Sequence, residues 1–218
     1  MFPGDKMKAD MKTYNRLAAI LFFLAMPLLF WALGDTPRRS FLKESISLLT
    51  ILGYFLMLGQ FFLSRGNKKV LKPHKTGKVL RLHKIIGYIF VSVLLVHPVL
   101  IVVPRFFEVG ISPSEAFSTI LSTWDSQGLI LGMIAWSLML ILGITSMFRN
   151  KLVMKYTAWR VFHGILSTVF ITLATWHAVE LGRHTDLPMS LYMGTIAGLG
   201  VLLLVRSYLQ KSSNIQSA

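Results

Sequence analysis

Two apolar runs in this sequence each carry a pair of histidines 14 residues apart, and they constrain the fold more than any other feature. The first is Arg81 to Leu100, RLHKIIGYIFVSVLLVHPVL, with His83 and His97. The second is Arg160 to Leu181, RVFHGILSTVFITLATWHAVEL, with His163 and His177. On an α-helix, 14 steps of ~100° end within ~40° of four full turns, so each pair shares a face. The same steps separate the two imidazoles by ~21 Å along the axis, most of the ~30 Å hydrocarbon thickness of a bilayer. Two such helices facing each other hold two histidine pairs, one towards each membrane surface. Stacked haems need that geometry.

Composition places the chain in a membrane. Of its 218 residues, 54% are hydrophobic and 15% charged, with a mean hydropathy of +0.60. A soluble domain carries about 25% charged residues. The net charge of +14 would suit nucleic-acid binding, but the basic residues fall in short segments between long apolar runs, as membrane topology requires. Six such runs stand out, at about 17–34, 45–64, 84–104, 127–148, 158–179 and 188–206. Each is long enough to cross a bilayer as a helix. The expected fold is therefore an all-α membrane protein: a six-helix bundle forming one domain over 1–218, with two stacked b-type haems between its third and fifth spans. The first run follows Lys6, Lys8, Lys12 and Arg16 like a signal peptide. It is longer than a signal core and lacks a small-x-small cleavage site, so it reads as a retained span. In the connection 104–126, Phe106, Phe107, Phe117 and Ile120 suggest a short amphipathic helix lying on the membrane.

Orientation follows from Lys and Arg. The tails and the second and fourth connections hold 18, and the three opposite connections hold 5. The positive-inside rule then puts both termini in the cytoplasm, in a bacterial inner membrane. His83 and His163 lie near the inner face, His97 and His177 near the outer one, so the pairs match in depth.

No Asp, Glu, Lys or Arg lies deep in any of the six runs, which leaves the four histidines as the ionisable groups inside. An imidazole binds iron through one ring nitrogen while the other donates a hydrogen bond. The plainer alternative is four unrelated histidines joining helices as polar glue. Equal spacing and matched depth favour haem. Without cysteine, covalent attachment is excluded and the haem must be b-type. Gly87, Gly164 and Ser167 are small residues near the ligands, suited either to a flat macrocycle or to close helix packing. For the haem propionates, Arg81, Lys84 and Arg160 are inner candidates, while Arg105, Arg183 and His184 are outer ones. His74 reads as solvated, and Trp31, Trp124, Trp159 and Trp176 as an interfacial aromatic belt. The sequence contains no Gly-rich nucleotide fingerprint.

The two His-x13-His motifs, with Arg81-x-His83 and Trp159-Arg160-x-x-His163 beside them, resemble the ferric reductase-like transmembrane domain shared by ferric reductases and NADPH oxidases. The resemblance covers about 15–206. It implies that His83 and His163 ligate an inner haem and His97 and His177 an outer one. The implied role is an electron-transfer subunit of an oxidoreductase. Electrons would pass from a cytoplasmic flavin or NAD(P)H-dependent reductase to an outer acceptor such as a ferric chelate, oxygen or a periplasmic redox protein. Family members usually continue into a flavin- and nucleotide-binding module, so flavin is expected only on a partner protein. The haem-binding subunit of the bacterial methionine sulfoxide reductase system is similar in size and helix count, but its members generally do not keep all four histidines. A metal or haem transporter using the histidines without redox turnover is the alternative from another class, and the lack of membrane carboxylates argues against it.

Overall fold

The computed structural model describes residues 3–63 and 76–216, and within them it is helical with no strand. Most of the basic second connection, His74 included, lies outside the described residues. The helices are α1 (Pro3–Ile20), α2 (Met26–Leu33), α3 (Phe41–Phe62), α4 (Thr76–Val102), α5 (Pro113–Ser122), α6 (Gln127–Met147), α7 (Tyr156–Leu181) and α8 (Leu187–Gln216). Six stretches are long and apolar enough to cross a membrane: Asp10–Leu33, Phe41–Phe62, Gly77–Phe106, Gln127–Met147, Tyr156–Leu181 and Leu187–Leu209. They match the six expected runs. Several helices begin a turn or more before the apolar run does, because polar side chains at helix ends can reach the interface. With an even number of spans, both termini fall at one end of the bundle, here the termini end.

The helix starts are set by short polar side chains. Ser40 accepts from the Lys43 amide, Ser126 from Leu129 and Asp186 from Met189, at 3.1–3.4 Å. Helix α5, the expected amphipathic segment, opens on a full capping box between Ser112 and Glu115. Between α1 and α2 the chain makes one π-helical turn, Leu21–Ala25, in which the Met26 amide bonds to the Leu21 carbonyl. In that register the Phe22 carbonyl would look to residue 27, but Pro27 has no N–H. Tyr192 of α8 completes it, its hydroxyl donating to the Phe22 oxygen at 2.6 Å.

The core centres on α3. Phe55 and Leu58 are fully buried there, among Met139 and Leu142 of α6, Phe170 and Ile171 of α7, and Met189 and Met193 of α8. Packing joins α6 to α7 and α3 to α4 most extensively, and also α3 to α8, α4 to α6 and α7 to α8. The two histidine-bearing helices, α4 and α7, share no comparable interface. They are held in position by α3 and α6 instead.

Gly164 was expected either beside a macrocycle or in helix packing, and packing explains it. A Cβ there would meet the Tyr208 hydroxyl at 2.4 Å, and that hydroxyl donates to the Arg160 carbonyl at 2.7 Å, locking α8 onto α7. Gly87 by contrast faces open space. Gly164→Ala should cost about 1–3 kcal/mol of stability by forcing Tyr208 aside. Thermal melting in detergent checks this, with Tyr208→Phe restoring part of the loss in the double variant.

Candidate functional site: two facing histidine pairs

The structure brings the four histidines together as two pairs. His163 lies within electrostatic reach of His83, and His97 within reach of His177. The first pair sits towards the termini end of α4 and α7, the second towards the opposite end. All four rings are partly buried.

In three of the four, Nδ1 faces an oxygen on a neighbouring helix. His177 Nδ1 meets the Gly128 carbonyl at 2.8 Å. A carbonyl only accepts, so Nδ1 carries the proton and Nε2 keeps its lone pair. His97 Nδ1 faces the Thr50 hydroxyl of α3 at 3.4 Å, and His163 Nδ1 the Ser146 hydroxyl of α6 at the same distance. Thr50 and Ser146 therefore sit where a metal ligand's second nitrogen is normally held. His83 is the exception: its Nδ1 is buried without a hydrogen-bond partner among the described residues, with the Gln60 backbone as a polar neighbour.

Gly132 is what admits the His177 ring. A Cβ at Gly132 would come within 2.4 Å of its Nδ1. Gly128 likewise leaves room for Leu181, which a Cβ would meet at 2.7 Å. These two glycines form a small-xxx-small motif at the start of α6. Sequence reasoning passed over them, although G-L-I-L-G in an apolar run was a visible signal. Thr50 and Ser146 gave no signal of their own, since hydroxyls in a membrane helix commonly bond back to their own backbone.

The residues around the pairs are arranged as follows. Trp159, expected in the aromatic belt, stacks on His163, with ring centroids 5.0 Å apart and an interplanar angle of 29°. Ser167 bonds back to the His163 carbonyl. Trp176 is half exposed, its Nε1 donating to Glu180 at 3.1 Å. Arg81 is exposed, while Arg160 and Arg105 are partly buried. Arg183 donates to the Pro37 carbonyl at 3.0 Å. His184 is buried, with its Nε2 3.0 Å from Glu44.

Glu44 was missed because it lies one residue before the apolar run. It is buried in the first turn of α3 and pairs with Arg38 at 3.6 Å and Arg39 at 3.2 Å as well as with His184. Lys43 and Ser40 both bond to Glu108 nearby. Those contacts hold the Glu108 carboxyl below its ordinary pKa. The connections between spans are thus laced together at this end.

Residues 49–174, more than half of the chain, match the family described as "Ferric reductase like transmembrane component". The chain belongs to that family. The matched stretch contains His83, His97 and His163 and stops three residues before His177. A relative from Archaeoglobus fulgidus, described as an uncharacterized protein, is 38% identical over 160 residues, covering 73% of this chain and 87% of its own length. No solved structure matches.

Burial lowers the pKa of His184, and Arg39, Arg38 and Arg183 reinforce the shift against the opposing pull of Glu44. A histidine whose pKa falls on folding takes up its proton more readily in the unfolded chain. Its contribution is therefore intact above the unfolded value of about 6.5 and is lost as pH falls from there through the folded value. Melting temperatures measured between pH 8 and 5 should fall, and His184→Gln should flatten that slope.

Proposed function

We propose that the chain is a transmembrane di-haem b-type cytochrome. It carries electrons from a cytoplasmic flavin or NAD(P)H-dependent reductase to an acceptor outside. The observation that supports this best is the set of Nδ1 contacts of His97, His163 and His177, each to an oxygen on a neighbouring helix, which leave Nε2 as the nitrogen available to a ligand. Such rings are oriented as ligands, whereas polar glue would spend both nitrogens on helix contacts. His83 and His163 would hold the inner haem iron, and His97 and His177 the outer one.

Two imidazoles are too few for a bare transition-metal ion, which takes four or more ligands. Among the described residues no group of three or more His, Asp or Glu gathers to supply the others. Iron in a porphyrin needs only the two axial positions. This favours haem over a metal-transport role. Bound haem would supply a one-electron carrier, held by His83 and His163 or by His97 and His177, a state suited to electron transfer rather than oxygen binding.

The protein's own residues do the rest. Thr50, Gly128 and Ser146 fix ring orientation, and hydrogen bonding at Nδ1 raises the basicity of the coordinating nitrogen. The apolar faces of α4 and α7 exclude water. The charge count gives direction, with 18 basic residues on the cytoplasmic side attracting an acidic reductase.

His83→Ala or His163→Ala should remove one haem and halve the b-haem content. Dithionite should then reduce the remaining haem, while a cytoplasmic donor does not. His97→Ala or His177→Ala should leave an inner haem that accepts electrons and delivers none outward. Full haem content in all four variants would sink the ligand assignment. A separate check uses Gly132→Ala, which changes no ligand residue but pushes the His177 ring away. It should lower outer haem occupancy, read from the reduced-minus-oxidised spectrum, and leave the inner haem unchanged. Co-purification with an outer-face oxidoreductase, such as a methionine sulfoxide reductase, would identify that enzyme as acceptor in place of a ferric chelate.

A further inference from the structure

A buried donor with no acceptor is costly, and in a native fold it points to a partner. Around the inner histidine pair two side-chain donors outside the ligands are left this way: Arg149 Nε and Trp159 Nε1 are buried with no hydrogen-bond partner among the described residues. They form a unit with His163. Ser146, near the end of α6, faces His163 Nδ1. Three residues on, Arg149 lies over the Trp159 ring, its guanidinium carbon 5.4 Å from the centroid. Trp159 precedes His163 by one helical turn and stacks on it. The result is two parallel layers, Ser146 with His163 and Arg149 with Trp159, the second one turn nearer the cytoplasm.

The partner these donors need can be characterised. Both are donors only, and one is a permanent cation, so an anionic acceptor answers both best. No carboxylate of this chain fills the role, since the ion pairs among the described residues are made by Glu44 and Glu108 at the opposite end. The anion must also reach the layer next to the His163 ring. Haem carries two carboxylates on the macrocycle that His163 would bind.

We propose that Arg149 and Trp159 hold a propionate of the inner haem, through the guanidinium and the indole N–H. This rests on the haem reading above. It moves the inner propionate role from Arg81, which is exposed, and from Arg160 to a residue on the fourth connection. The site then takes one ligand contact and one carboxylate contact from the α6–α7 pair, the most extensive interface in the bundle. A lipid phosphate would offer the donors the same chemistry, and the test separates the two.

The experiment uses the full chain carrying His97→Ala and His177→Ala, so that only the inner site is read. Apoprotein is titrated with haem b and with its dimethyl ester, whose carboxylates are blocked, and low-spin absorbance reports occupancy. The protein with Arg149 intact should bind the ester about tenfold or more weaker, as loss of a charge-assisted hydrogen bond predicts. Arg149→Gln should bind haem as weakly as the parent binds the ester and no longer distinguish the two. Trp159→Phe, which keeps the stack and removes the N–H, should fall between. Retention of the outer haem by Arg149→Gln in the otherwise native chain shows that the variant is folded. If the parent binds haem and ester equally, or if Arg149→Gln keeps the parent's preference, the proposal is overturned. Equal binding would leave the lipid phosphate as the partner. A parent that takes up neither haem nor ester overturns the haem reading itself, a separate and distinguishable outcome.

Discussion

Hydrocarbon offers no hydrogen-bond partners, so every polar group in a membrane span must find one inside the protein or bind something that supplies it. Much of this structure follows from that constraint. Hydroxyls at Ser92, Ser137, Thr145, Thr168, Thr172 and Thr195 turn back onto their own helix carbonyls. The carbonyl freed by Pro27 is answered by Tyr192 across the bundle. The phenol of Tyr54, buried in the core, donates to Thr175 at 2.6 Å, since the Thr175 proton is already committed to the Ile171 carbonyl. Against this background of satisfied groups, imidazoles with one nitrogen anchored and one left open stand out as sites for something more.

The fold was legible from hydropathy because the bilayer imposes one length and one secondary structure. All six runs became spans, and their ends moved by a few residues where polar side chains extend a helix into the interface. The histidine pairs were legible for the same reason. In a span nearly free of ionisable groups, four imidazoles at one repeated spacing carry most of the information. What stayed hidden was the packing around them. Ser146 and Thr50 look like any hydroxyl in an apolar run, and their contacts with His163 and His97 depend on the rotation of α3 and α6, which sequence periodicity does not fix when a helix is apolar all round. Trp159 had an interfacial address and a stacking partner, and only the structure separates the two roles.

Glu44 shows a different limit. It sits one residue before an apolar run, where a residue reads as loop, yet helix α3 starts earlier because Ser40 caps it. That single shift brings a carboxylate into a buried position. Arg38 and Arg39 then follow, because a buried carboxylate without cations would be far costlier than the ordering of two side chains, and His184 packs against the same carboxylate. Of the basic residues at this end, Arg105, Arg183 and His184 were read as candidates for a bound propionate. In the structure Arg38, Arg39 and His184 meet Glu44, and Arg183 meets the Pro37 carbonyl.

The two ends of the bundle therefore differ in more than the number of lysines and arginines. Seven of the nine acidic residues lie at the end where only five basic ones do, and just Asp5 and Asp10 accompany the 18 basic residues at the termini end. One end is close to neutral and ties Arg38, Arg39 and Lys43 into ion pairs that brace the connections. The other carries a large excess of positive charge. A potential of that sign draws in anions and lifts the association rate of acidic partners by one to three orders of magnitude in low salt. Near this end's histidine pair, Lys84 lies within electrostatic reach of His83, and Arg149 is held over Trp159, one turn from His163.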